Sequence, residues 1–181
     1  MSAKENRNGV TPKFSIKWSK TDNKTAAVPG NTYEDMFKFF EKKNTAKQEW
    51  ALFQHERPAL SFKPAKGDPI TEVTLTVGYT ITMPAWSKAG SLGKKAKDAW
   101  DKMMAALQKH EDQHRQILED QAKSFGTQIT SQTDLSQKNL ADLFKDFPGD
   151  VKKAQDAYDS KTAHGKNEGV FLPAPDAVQD P

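Results

Sequence analysis

The pentapeptide His110-Glu111-Asp112-Gln113-His114 sets two imidazoles four residues apart, with a carboxylate directly after the first. On a helix, four residues turn through 400°, so the two histidines differ in direction by only about 40° and their rings can meet at one ion. Neutral imidazole is a natural zinc ligand, and catalytic zinc sites keep one position open for water. Zinc lowers the pKa of that water toward about 7, and Glu111 would take its proton during attack on a carbonyl, then deliver it to the leaving amine. The pattern predicts zinc-dependent peptide hydrolysis, with Zn2+ as cofactor and a peptide or protein as substrate. The same five letters also arise by chance, as two half-buried histidines bonded to backbone or carboxylates.

The helix that carries the pentapeptide argues against chance. Trp100, Met103, Leu107, His110, His114 and Ile117 form one stripe over a helix predicted from Lys94 to Ser124, the spacing of a core-facing side. The histidines therefore point inward, where unpaired polar groups are costly and a metal ion would supply a partner. Asp112, Gln113, Arg115 and Gln116 point outward. A third ligand must come from elsewhere, and the chain has only four histidines. His55, in QHERP, reads as a surface histidine. The segment Tyr158-Asp159-Ser160-Lys161-Thr162-Ala163-His164-Gly165 offers more. His164 or Asp159 could complete the site, or Asp159 could hold a ligating imidazole. Tyr158 could donate to an oxyanion or be an ordinary core tyrosine.

Other elements must position these residues. Phe14, Ile16 and Trp18 alternate as a short strand, followed by a polar loop to Pro29-Gly30-Asn31. Thr32 and Asp35 form a helix-start pattern, and Tyr33, Met36, Phe37 and Phe40 lie on one helix face. Short strands are expected around Trp50–Phe53 and Leu60–Phe62. The clearest strand runs Val73–Met83, apolar on one face and threonine-rich on the other, ending at Pro84. If it forms a sheet edge, it could take up an extended peptide by strand addition. Gly126 is expected to cap the long helix. Two shorter helices, Leu135–Phe147 and Val151–Thr162, are expected on either side of Pro148-Gly149-Asp150. Strands first and helices later predict an α+β fold. The chain reads as a disordered tail over residues 1–12, one domain over 13–165, and an extended Pro-rich tail over 166–181.

Composition narrows the partners. Net charge is +3, with 27 basic and 24 acidic residues interleaved, so no basic stripe suited to nucleic acid stands out. No stretch reaches the roughly 18 apolar residues of a membrane span. With no cysteine, disulfides and thiolate ligands are excluded. No apolar leader segment is visible in MSAKENRNGVTPK, and oligomeric state is not legible.

Four landmarks occur in order: PGNTYEDMFKFF, the strand ending in ITMPAW, the Trp100–His114 run WDKMMAALQKHEDQH, and YDSKTAHG. In these the chain resembles a bacterial family catalogued as a domain of unknown function and as predicted secreted zinc-dependent proteases. The resemblance covers roughly Pro29 to Gly165. It implies a zinc peptidase with His110 and His114 as ligands and Glu111 as base. It also favours His164 over Asp159 as third ligand and gives Tyr158, Asp159 and Thr162 supporting roles. The architecture expected is zincin-like: a small antiparallel sheet packed on the long motif helix, with C-terminal helices. Gln113 departs from the small residue common before the second histidine in that family. The alternative is a binding or structural protein with a zinc staple or no metal.

Overall fold

A computed structural model of the chain describes residues 9–46 and 48–179. Most of the expected N-terminal tail, residues 1–8, lies outside them. The architecture is α+β. Strand β1 spans Lys13–Ala27, helix α1 Tyr33–Thr45, β2 Leu52–His55, β3 Ala59–Lys63, β4 Glu72–Ala85, α2 Lys94–Thr130 and α3 Gln137–Thr162. The strands form one sheet in which β4 pairs with β1, β2 and β3; it is mixed rather than the wholly antiparallel sheet expected, with β2 and β3 antiparallel to β4. Strand β4 is thus interior, so it does not supply the free edge that strand addition would need. Its apolar threonine-backed pattern reflects burial between neighbours.

Three boundaries differ from the sequence reading. Strand β1 continues through Thr21-Asp22-Asn23-Lys24, which reads as loop because Asp and Asn are poor strand formers. From Lys17 to Ala27 it is exposed except at half-buried Asp22, and polar residues suit such a hydrated edge. Helix α2 runs past Gly126 to Thr130. Helix α3 is continuous through Pro148-Gly149. A proline inside a helix costs about 3 kcal/mol, but Leu140, Phe147 and Val151 are buried on both sides of it. That apolar burial outweighs the lost hydrogen bond.

The chain gathers into two compact units, although no linker is visible in the sequence. Strands β1 and β4 and helices α2 and α3 each contribute a segment to both. The first unit holds the described residues up to Lys20, with Glu56–Gly78 and Leu118–Lys153. In it, β3 pairs antiparallel with the start of β4, placing Phe62 opposite Val73 and Leu60 opposite Leu75. Phe125 meets Phe14 edge-on at 5.9 Å and Phe147 at 5.3 Å. Gly126 serves this packing rather than a cap, because a Cβ there would lie 2.4 Å from Phe14 Cδ1. Residues 9–12 are not loose: Val10 donates its N–H to Asp134 Oδ1, 2.9 Å away.

The second unit holds the described residues of Thr21–His55, of Tyr79–Ile117 and from Ala154 onward. Strand β2 pairs antiparallel with the end of β4, Phe53 opposite Ile81. Helix α1 begins with a reciprocal cap: Thr32 Oγ1 accepts from Asp35 N–H and the Asp35 carboxylate accepts from Thr32 N–H. Its buried face, Tyr33, Met36 and Phe40, joins Trp86, Trp100, Met103 and Leu107 in one core. Val170, Leu172 and Val178 complete that core. The expected extended tail instead folds into 3-10 turns at Lys166–Glu168 and Pro175–Val178. Alternating apolar residues in VFLPAPDAV anchor it, and Tyr33 Oη donates to the Pro173 carbonyl at 2.9 Å.

Candidate metal centre

The inward stripe of α2 delivers His110, Glu111 and His114 to the interior of the second unit, where they are 5%, 4% and 7% exposed. The last turns of α3 bring Gln155, Tyr158 and Asp159 to them. His114 Nε2 lies 3.2 Å from His110 Nε2 and 3.0 Å from Asp159 Oδ1. His110 Nε2 lies 3.2 Å from the same carboxylate oxygen. Among the described residues, His110, His114 and Asp159 form the group able to offer one ligand atom each to a single ion.

The hydrogen bonds behind the rings decide what these three atoms are. His110 Nδ1 lies 3.0 Å from Glu168 Oε2. An ionised carboxylate only accepts, so Nδ1 carries the proton, and in the neutral ring Nε2 presents a lone pair. His114 Nδ1 donates to Gln155 Oε1, and Gln155 Nε2 donates to the His114 carbonyl at 2.9 Å. That second bond fixes the amide, so Oε1 faces the ring. With both Nδ1 protons committed outward, neutral histidines turn two nitrogen lone pairs toward a carboxylate oxygen. Three acceptors within 3.0–3.2 Å of one another need a shared cation or extra protons. Zinc bonds of about 2.0–2.1 Å in a tetrahedron separate adjacent ligand atoms by about 3.3 Å, so the donor set and its spacing fit zinc.

The electrostatics show the same crowding. Burial opposes charging of both imidazoles, but Asp159 with Glu168 raises His110, and Asp159 with Gln155 raises His114 above the ordinary histidine value. Burial also opposes ionisation of Asp159, yet without a metal the two histidines, once each takes up a second proton at Nε2, donate to its carboxylate and hold it well below the usual carboxylate range. Burial pushes Glu111 up to about 7. Burial, then the Glu168 carboxylate, raises Tyr158.

The other expected residues take distinct places. His164 is not in the three-residue group: its side chain is 70% exposed and its Nδ1 lies 3.8 Å from Asp159 Oδ1. His55 ends β2, exposed, and stands outside the group too. Tyr158 stacks on His110 with ring centroids 4.9 Å apart, and its hydroxyl donates to Glu168 Oε2 at 2.7 Å. Thr162 is buried and shapes the turn: its hydroxyl donates to the Tyr158 carbonyl at 3.0 Å and accepts from Gly165 N–H at 3.2 Å. Gly165 adopts φ +80, and a Cβ there would lie 2.6 Å from Val170 Cγ2 and 3.3 Å from His110 Cγ. Only glycine lets the chain pass so close to the ring in that conformation. Phe53 of β2 stacks on His114 at 5.9 Å.

Sequence reasoning missed Gln155 and Glu168. Gln155 lies on the α3 stripe Val151, Gln155, Tyr158, Thr162, a periodicity that could have found it. Glu168 lies in a segment taken for a tail, and no periodic signal marks it. Residues 23–165 match the family described as a bacterial protein of unknown function (DUF922). Comparisons with curated proteins and with solved structures give no match.

Proposed function

We propose that this chain, which belongs to that bacterial family of unknown function, is a zinc-dependent metallopeptidase of the zincin type. His110, His114 and Asp159 would hold the ion and Glu111 would act as general base. The observation that carries the reading is the convergence of the two Nε2 atoms and Asp159 Oδ1, with Glu168 and Gln155 placed to accept the Nδ1 protons. When bound, zinc would supply a water of lowered pKa and polarise the substrate carbonyl.

The chain's own residues do the rest. Glu111 follows the first ligand on the buried side of α2, and no side-chain hydrogen bond engages its carboxylate among the described residues. It is available to accept a proton and return it to the leaving amine. Its raised affinity for a proton suits a base that must also act as an acid near neutral pH. Tyr158 is committed to Glu168 through its hydroxyl, so its first role is to wall and orient His110. A peptide joining the sheet beside the site would add to β2 rather than β4, because β4 is flanked on both sides.

A buried zinc staple is the second reading. It is favoured by the low exposure of all three α2 residues, which restricts access to substrate. Metal content and proteolysis of the wild type and Glu111→Gln decide between the two. The peptidase reading expects equal zinc occupancy and at least a 100-fold loss of cleavage, in line with the roughly 10²–10⁴-fold contribution of general acid–base catalysis. Undiminished cleavage by the variant removes Glu111 from the mechanism, and a zinc-loaded wild type inert on broad peptide libraries favours the staple.

A further inference from the structure

The bonds made by the turn after α3 reach the metal-binding group itself. Lys166–Glu168 forms a single 3-10 turn between two glycines with positive φ, Gly165 at 80 and Gly169 at 96. Glu168 N–H donates to the Gly165 carbonyl at 2.9 Å, and Val170 N–H donates to the same carbonyl at 3.1 Å. Val170 is 4% exposed and belongs to the core of its unit. A folded turn with a buried anchor therefore presents the Glu168 carboxylate. One oxygen, Oε2, accepts both the His110 Nδ1 proton at 3.0 Å and the Tyr158 hydroxyl proton at 2.7 Å. Tyr158 also lies parallel to the His110 ring, within 23°.

We infer that Glu168 is a positioning residue of this centre: its carboxylate holds His110 with Nδ1 protonated and Nε2 turned toward Asp159 and His114, while fixing Tyr158 against the ring. Glu168 lies three residues beyond the matched family region, which ends at 165. The working site thus extends into the C-terminal turn. Carboxylates that hold a ligating imidazole in this way are worth about 10–100-fold in metal affinity. An ionised acceptor makes a stronger bond than a neutral one, which predicts a graded series of variants. This inference rests on the zinc reading for its affinity arm but not for its spectroscopic arm.

The test compares the wild type, Glu168→Gln and Glu168→Ala. Zinc affinity is measured by competition with a chromophoric chelator, and the His110 Nδ1 proton is followed by NMR in protein carrying 15N-histidine. In the wild type, that proton should be shifted downfield and protected from water exchange. Glu168→Ala should lose this signature and bind zinc about 10–100-fold more weakly. Glu168→Gln should keep a weakened signature with an intermediate loss of affinity. An unchanged proton resonance in a folded Glu168→Ala overturns the inference. If the alanine variant does not fold, a glutamine variant with wild-type resonance and zinc affinity overturns it equally. A signature present in the wild type, weakened in Glu168→Gln and lost in Glu168→Ala, in a protein that binds no zinc, sustains the Glu168 role and sinks the metallopeptidase reading.

Discussion

His164 and Asp159 are close competitors in the sequence, five residues apart near the end of one helix. The choice between them depends on where that helix stops. Asp159 is still within α3 and faces α2, whereas His164 follows the last helical turn, at φ 53. The chain has swung away by then, and His164 is left largely exposed. Helical periodicity therefore reaches Tyr158 and Asp159 but cannot place a residue beyond the helix end. Glu168 escapes for the same reason, since its position depends on two left-handed glycines rather than on a repeating pattern. We expect Asp159→Ala to lower zinc occupancy by at least 10-fold while His164→Ala stays within about 3-fold of wild type, since ligand loss should cost no less than loss of a carboxylate that holds one. Metal analysis after dialysis against a weak chelator measures both. The reverse ranking would make His164 the third ligand.

Among the elements, α1, α2 and β4 are legible because burial imposes a clean period on each. Capping chemistry at Thr32 and Asp35 also appears as expected. The exposed length of β1 and the continuity of α3 are not legible in local propensity, because partners and buried anchors override it. The stripe Leu140, Phe144, Phe147, Val151, Gln155 keeps helical phase across Pro148-Gly149, a signal stronger than the breaker residues themselves. Gly126 shows how a helix glycine can mislead. Replacing it with alanine would gain up to about 1 kcal/mol of helix propensity, but the new methyl would press into the Phe14 ring. Overpacking typically costs about 1–3 kcal/mol. Gly126→Ala is therefore expected to destabilise the protein by roughly 1 kcal/mol in urea unfolding. In a Phe14→Ala background the same change should become stabilising. Stabilisation in both backgrounds would mean that Phe14 does not constrain this position.

At the scale of the whole molecule, the proposed role of Glu111 carries a stability cost. Glu111 is buried on a helix face with no side-chain hydrogen bond among the described residues, and burial raises its pKa from 4.5 to about 7. The folded state thus holds the proton more tightly than the unfolded chain. As pH rises from about 4.5 to about 7, the unfolded state loses this proton first, so the Glu111 contribution to stability falls across that window and is level above it. A shift of this size corresponds to a few kcal/mol, at about 1.4 kcal/mol per pKa unit. Other groups titrate over the same range, including the two histidines, but they are common to the wild type and Glu111→Gln. The difference between the two proteins reports Glu111 together with its coulombic coupling to His110 and His114. In metal-free protein, the stability of Glu111→Gln relative to wild type should therefore climb between pH 4.5 and 7, then plateau. Zinc near the carboxylate would favour its ionised form, so the plateau should shrink when zinc is added at saturation. Denaturant unfolding across pH, with and without zinc, measures both effects. A difference that does not change with pH would show that Glu111 is not held in a desolvated site. A pH-dependent difference that zinc leaves untouched would place the ion away from Glu111, against its assignment as the base.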